Sequence, residues 1–490
     1  ERQRLLGDLL TDEASMLIMA GQVERAQELL DEAAALSGDL PAPQVLQAAI
    51  AHWQGRIGYL QRNVPAAQHE SERALALARM AGARDLEAYS LWQLGRLAVA
   101  RNDSAAARPY LEQALALFQE LGNRLGEAFV THELGTCAFE QGHMMAAQRC
   151  FDEVLRFSRT FGCRSCVPFA CTGLGLVYDQ GLGRHKDAEP YFAEALAFWR
   201  AMGSRPNDES YLLACLGRSA LAQGDQPRAQ ALFTQALSTA RAARHLSAAV
   251  GRTWALHGLG LLAHYTGDEG EAEQLARQAL RIAQESWQPR AARFALRLLG
   301  HALCGQGRLE QAQSIYQQVL ESDQALGYPH LAVEATADLA RVALAEGDLA
   351  HATAYADAVL AYLAEHTLEG TEEPIGVYRT CYEVLRAAQD PRATDVLAAG
   401  HALLQERAAQ FDDEDRRRLF LANVPAHLWL RHLWEDCPSR HHGGKADTIP
   451  QRVAARPSPH VARDPGAARR RTAPPTTIRG RPRARRCPPA

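Results

Sequence analysis

Residues 88–122 read AYSLWQLGRLAVARNDSAAARPYLEQALALFQELG. Leu91, Leu94, Leu97 and Ala98 recur at three- and four-residue spacing, which predicts a helix with one apolar face. Arg101-Asn102-Asp103-Ser104 breaks the pattern, and Asp103 or Ser104 suits the N-cap of a following helix. That second helix, residues 105–121, has Ala107, Leu111, Ala114, Leu115 and Phe118 on its inner face. Gly122 ends it, as a glycine in the left-handed conformation does. Gly95 and Ala107 fall where the two helices would cross, and small side chains there let the backbones approach closely. The stretch is therefore a helical hairpin.

The same hairpin recurs along the chain every 40 to 43 residues. Gly55, Gly95, Gly135, Gly175, Gly217, Gly260 and Gly300 hold the first-helix position, and Ala340 and Cys381 continue the register. Ala26, Ala67, Ala107, Ala147, Ala188, Ala229, Ala272, Ala312, Ala352 and Ala393 hold the second-helix position, most of them in an Ala-x-x-x-(Phe/Leu/Tyr) motif. Turn glycines at 21, 142, 224, 267, 307 and 347 separate the two helices, with Asp225, Asp268 and Asp348 placed as N-caps. Helix-exit glycines at 82, 122, 162, 203 and 327 separate one hairpin from the next. Pro109 and Pro190 share a register near the start of the second helix, where a missing N–H costs little. A fixed period of this length predicts an all-α fold: a right-handed superhelical solenoid of about ten antiparallel helix hairpins. Such an array offers a long surface rather than a catalytic pocket.

Composition agrees. The chain is 47% hydrophobic and only 7% aromatic, a helix-forming balance. No run of about 18 apolar residues suggests a membrane span, and the N-terminal ERQRLLGDLL lacks the pattern of a secretion signal. Ten cysteines are then expected as free thiols in a cytoplasmic protein. Lys186 and Lys445 are the only lysines, against 51 arginines, a usage pointing to a GC-rich bacterial genome. Residues 437–490 hold 13 basic and 2 acidic side chains, which leaves 40 basic against 55 acidic, a net of −15, in residues 1–436. An acidic body repels phosphate backbones and argues against nucleic-acid binding. The tail also holds ten of the 23 prolines and reads as disordered. It is either a basic tail or a reading frame translated out of phase.

Three segments follow: repeats over 1–410, a capping segment over 411–436 that shields the last apolar face, and the Arg/Pro-rich tail over 437–490. The Leu-Gly pairs and the later small positions resemble the tetratricopeptide repeat over residues 7–436. The usual period of that family is 34; the stretched period resembles the longer MalT-like form of large bacterial signalling ATPases and transcription regulators. Asp390-Pro391-Arg392-Ala393, HALLQERA at 401–408 and RRRLFLANVPAH at 416–427 are similar to the way those repeat regions close. The aromatic and proline positions of the family pattern match poorly. The resemblance implies a protein-binding scaffold without enzymatic activity, the sensor or regulatory arm of a larger protein. Two alternatives stand beside it: a DNA-binding transcriptional regulator using the basic tail or a further domain, and the regulatory part of an ATP-hydrolysing or nucleotide-cyclase enzyme. The chain begins at Glu1 without an ATPase, cyclase, kinase or helix-turn-helix signature, so the expectation is a fragment whose engine lies upstream.

An aromatic stands six residues before each of six repeat glycines: Tyr89, Phe129, Phe169, Tyr211, Trp254 and Phe294. In the resembled family this position approaches the concave surface, so the column either lines a groove for a peptide or helix or packs between repeats. One turn on lie Trp92, His132, His257, Arg297 and Asp338, and beyond them Arg96, Arg218, His301 and Arg341. The arginines are placed to accept carboxylates of an acidic partner, or else form a solvated face. The expected partner is a protein or peptide, including further N-terminal domains of the same protein, with no membrane and no cofactor.

Cys163-Arg-Ser-Cys166, with Cys171 nearby, has C-x-x-C spacing but no second paired set to complete a zinc site. His441-His442 is weaker still. Gly181-Leu-Gly-Arg-His-Lys186 fails the P-loop pattern and reads as an enlarged turn with one inserted residue. No G-x-S-x-G or H-E-x-x-H motif occurs.

Overall fold

The computed structural model describes residues 2–19, 22–38, 40–202, 206–242 and 249–436. Among the described residues, twenty-two α-helices follow one another: α1 (Arg2–Met19), α2 (Val23–Ser37), α3 (Gln44–Leu60), α4 (Val64–Ala81), α5 (Arg84–Ala100), α6 (Ser104–Glu120), α7 (Arg124–Glu140), α8 (Met144–Phe161), α9 (Val167–Leu176), α10 (His185–Ala201), α11 (Pro206–Ala222), α12 (Gln226–Ala242), α13 (Ala249–Tyr265), α14 (Glu269–Glu285), α15 (Pro289–Gly305), α16 (Leu309–Ala325), α17 (Pro329–Ala345), α18 (Leu349–Glu365), α19 (Pro374–Ala387), α20 (Arg392–Ala408), α21 (Glu414–Asn423) and α22 (Pro425–Asp436). The first twenty pair into ten hairpins stacked as a helical solenoid, and α21 and α22 pack on the last one. The Arg/Pro-rich tail, His441-His442, Gly21 and Gly203 lie outside the described residues.

The caps follow from the residues. Asp103 accepts the N–H of Ala106 at 2.9 Å, Asp268 that of Glu271 at 3.0 Å and Asp348 that of His351 at 3.1 Å. Asp225 does the same for Arg228 at 3.2 Å. The exit glycines 82, 122, 162 and 327 take φ between 65° and 71°. Pro109 and Pro190 sit six residues into α6 and α10, deeper than the sequence spacing suggests, so each removes a hydrogen bond from the second turn.

The motif has a concrete packing cause. A Cβ added to Gly95 would meet Leu111 Cδ2 at 2.5 Å, one on Gly175 would meet Phe192 Cε1 at 2.4 Å and one on Gly300 would meet Tyr316 Cε1 at 2.5 Å. Gly135 and Gly217 stand against Phe151 and Phe233 in the same way. The glycine thus makes room for the large residue four positions after the motif alanine, rather than for the alanine itself, whose carbonyl lies 3.6 Å away in the hairpin of Gly95. Phe151, Phe192, Phe233 and Tyr316 join one continuous core running from α7 to α17, and Leu111 joins the core of the preceding hairpins.

The residue inserted near Gly181 is absorbed as a π-helical turn, Val177–Gly181, after α9. Such single-residue bulges redirect side chains locally. Here it buries Asp179, whose carboxylate lies 2.8 Å from His185 Nδ1.

The array also meets itself. Tyr328 donates to the Asn102 carbonyl at 2.6 Å, across 226 residues of sequence. Gly370 N–H donates to the Gly181 carbonyl at 2.9 Å, Asn423 donates to the Gly224 carbonyl at 2.9 Å, and Lys186 pairs with Asp412. The hairpin turns of α5–α6, α7–α8, α9–α10 and α11–α12 therefore abut α17, residues 366–373 and the C-terminal helices.

Candidate functional site: a concave centre filled by the chain's own carboxylates

Six first helices, α5, α7, α9, α11, α13 and α15, carry the aromatic column toward the inner face. In the N-terminal half these rings touch one another. Trp92 stacks on Phe129 with centroids 5.2 Å apart and planes at 9°, and Tyr89 meets Phe118 edge-on at 5.0 Å. Arg96 lies over Trp92 at 5.0 Å and pairs with Glu133 at 3.1 Å. His132 meets Phe169 at 6.0 Å, and Phe169, 42% exposed, leans edge-on to Trp199. Tyr211 lines one cavity with His132 and Phe169.

The second half is assembled differently. Trp254 and Phe294 lie 5.3 Å apart, with His257 against both. Arg218 crosses from α11 to lie 4.8 Å over the Trp254 ring. Arg297 of α15 is 3% exposed, so its charge must be met inside the protein. Its Nε donates to Asp338 at 2.8 Å and its Nη1 lies 3.1 Å from Glu334. Arg341 donates to Asp338, to the Tyr316 hydroxyl and to His301 Nδ1, at 3.0, 3.0 and 2.8 Å.

The remaining partners come from the connector between α18 and α19. Arg218 donates to Glu372 at 3.2 Å, and Arg297 to the same carboxylate at 3.5 Å. Glu373 lies 3.8 Å from Arg297 Nη2 and accepts the Tyr265 hydroxyl at 2.8 Å. Glu334 Oε1 accepts the backbone N–H groups of both Glu372 and Glu373, each at 2.8 Å. That contact satisfies the N–H of Glu373, the N-cap of α19, and that of Glu372 just before it. Residues 366–373 thus form a strap across the concave centre, pinned by side chains of α11, α13, α15 and α17. The sequence-selected residues Arg218, Trp254, His257, Phe294, Arg297, His301 and Arg341 come together around it. Tyr89, Trp92, Arg96, Phe129 and His132 form the separate N-terminal group.

Electrostatics sharpen the picture. Burial and the guanidinium of Arg218 hold His257 well below the ordinary histidine range; burial and Arg297 do the same to His301. Both rings are therefore neutral, and the cations of the centre are arginines. Arg218, Arg297 and Arg341 face four carboxyls: Glu334, Asp338, Glu372 and Glu373. Burial pushes Glu334 up to about 7 despite Arg297 and Arg293. Burial likewise raises Glu372 against the pull of Arg218 and Arg297. Glu373 is also pushed up by burial, but Arg297 and the Tyr265 hydroxyl outweigh it and hold it low. A cavity of about 90 Å³ remains beside the strap, bordered by Arg218, Tyr265, Glu372, Arg407 and His427.

The strap escapes sequence reasoning because it leaves the period unchanged. The spacing from Ala340 to Cys381 and from Ala352 to Ala393 is 41 residues in both cases. The connector lengthens to 366–373 from 326–328 one repeat earlier, and α19 shortens to 14 residues from the 17 of α17. The available signal was Thr371-Glu-Glu-Pro374: two acids before a proline that opens a helix.

Family models for the tetratricopeptide repeat match residues 169–242, 252–286 and 295–327. Those residues are tetratricopeptide repeats within an all-α helical solenoid. No curated protein matches the chain in sequence. Among solved structures, this repeat solenoid is similar to NprR in complex with its cognate peptide NprX, at 13% identity and TM-score 0.51, over 65% of this chain and 88% of that one. It is also similar to the Rap conjugation gene regulator of plasmid pLS20 in complex with the Phr* peptide, at 15% identity and TM-score 0.47, over 66% and 98%. A third is the signal-transduction ATPase with a tetratricopeptide-repeat sensor from Pyrococcus horikoshii, at 15% identity and TM-score 0.40, over 66% and 49%. At these identities the likeness concerns the fold. No described helix is long and apolar enough to cross a membrane.

Proposed function

We propose that this chain is a protein-interaction scaffold without catalytic activity, whose concave centre captures an extended acidic segment of a partner by displacing its own strap. The observation that carries the reading is the pairing of Arg218 and Arg297 with Glu372 and Glu373. Bidentate-capable guanidinium groups in a partly dry cleft select carboxylates, and the strap shows the spacing they accept: two consecutive glutamates with their backbone N–H groups turned toward Glu334. An internal occupant lowers the apparent affinity for any external one, because binding requires the strap-free state. That is the behaviour of a regulatory arm. NprR, with a related fold, has been crystallised with a peptide. On the long repeat and the closing motifs we further place the chain in a MalT-like bacterial signalling or transcription-regulatory protein acting in the cytoplasm. Residues 1–410 are then the sensing array and 411–436 its cap, and the partner is a peptide or another domain of the same protein.

The test uses a labelled peptide of the strap itself, HTLEGTEEPIG (residues 366–376). The full chain carrying Glu372→Gln and Glu373→Gln should bind it at least about tenfold more tightly than the wild type does. A peptide with both glutamates changed to glutamine should not bind. Equal, weak affinity of both chains, with helical circular dichroism unchanged, would contradict the proposal.

A further inference from the structure

The turn between α8 and α9 contains a motif that the interaction surface does not use. Gly162 takes φ 71° and ends α8, and Arg164–Cys166 forms a short 3₁₀ helix with Cys163 at its N-cap. In a 3₁₀ helix residues three apart eclipse one another, one turn rising about 6 Å. That spacing lies inside the Cα separation that a disulfide spans. The thiols are accordingly in contact: Cys163 Sγ and Cys166 Sγ lie 3.2 Å apart.

The two thiols are unequal. Cys163 is half-buried at the surface and Cys166 is buried. Burial pushes Cys163 up, but hydrogen bonds to its sulfur from the Ser165 hydroxyl, the Cys166 thiol and the backbone N–H groups of 165 and 166 outweigh it, so its net shift is downward. Burial, then the hydrogen bond and charge of Cys163, raise Cys166. An accessible sulfur favoured as thiolate beside a protected thiol is the arrangement that thiol–disulfide exchange requires. Among the described residues no group of three or more His, Cys, Asp and Glu side chains could hold a metal ion.

We propose that Cys163 and Cys166 are a redox-active dithiol, with Cys163 as the attacking and Cys166 as the resolving sulfur. The oxidant is a low-molecular-weight disulfide, RSSR. Cys163 thiolate attacks one sulfur, the S–S bond breaks, and RS⁻ leaves to be protonated by solvent. Cys166 then loses its proton to solvent and attacks Cys163 Sγ, expelling the second RS⁻, which takes up a proton. The protein dithiol is oxidised by two electrons and RSSR is reduced to two RSH. The new bond fixes the turn that leads into α9 and sets the position of Phe169, three residues on, against Trp199 and His132.

Glutathione disulfide is a suitable probe on the full chain, read by mass mapping of unreduced peptides. The expected product is an intramolecular 163–166 linkage. Cys166→Ser should instead trap Cys163 as the mixed disulfide, and Cys163→Ser should form neither product. In the reduced wild type Cys163 should alkylate about tenfold faster than the half-buried Cys150 and Cys304, whose thiols burial raises, and Ser165→Ala should slow it. Alkylation of Cys163 no faster than Cys150, or absence of both the 163–166 linkage and the trapped mixed disulfide, would overturn the assignment.

Discussion

At the scale of single residues, two kinds of glycine look alike in sequence and differ in consequence. Gly224 and Gly307 both end a first helix with φ near 80° (78° and 76°). A left-handed conformation costs an alanine about 1 kcal/mol, so that part of the penalty is shared. A Cβ at Gly307 meets nothing within 4 Å, whereas one at Gly224 would lie 2.3 Å from the Leu419 carbonyl oxygen. Backbone cannot rotate away as a flexible side chain can, so Gly224→Ala must separate α21 from the α11–α12 turn. Gly224→Ala should lower the thermal midpoint clearly more than Gly307→Ala, and should loosen the contact of Asn423 with Gly224. Equal shifts would mean that this closing contact does not form. Both glycines were readable as turn residues; the second role of Gly224 was not, because its partner lies about 200 residues away.

At the scale of elements, α17 is the hinge of the site. It supplies Glu334, Asp338 and Arg341, and Glu334 holds the first N–H groups leading into α19. Glu334 stays protonated up to about pH 7 in the folded chain and ionises near about 4.3 when unfolded. Between these values the folded chain binds the extra proton, so its stabilisation is full below the unfolded value and is lost as pH rises through about 7. Glu140, also raised to about 7 by burial, adds the same slope. The buried histidines His257, His301 and His330, all lowered chiefly by burial, act oppositely and cost stability as pH falls below about 6.5. Thermal midpoints should therefore peak near neutrality. Glu334→Gln should flatten the alkaline limb without removing it, since Glu140 remains; an alkaline limb identical to that of the wild type would show that Glu334 is ionised throughout.

At the scale of the whole molecule, the hairpins were legible because the information is local and repeated. Leu-Gly in one helix and Ala-x-x-x-Phe in the next specify a crossing whose glycine admits the later ring, as Gly175 admits Phe192. The caps at Asp103, Asp225, Asp268 and Asp348 were readable for the same reason. The candidate site was only half legible. The positions of Arg218, Arg297 and Arg341 and their preference for carboxylates follow from register, but the source of those carboxylates does not. Glu372 and Glu373 reach them because the superhelix winds tightly enough for residue 370 to meet residue 181 and residue 328 to meet residue 102, and no periodic pattern encodes such contacts. The central claim is that the strap fills the concave centre in the free protein. Hydrogen–deuterium exchange of peptides covering residues 366–376 in the full chain tests it directly. The amides of Glu372 and Glu373, held by Glu334, should exchange about a hundredfold more slowly in the wild type than in Glu334→Ala. Exchange of these amides at the same rate in both chains would contradict the account.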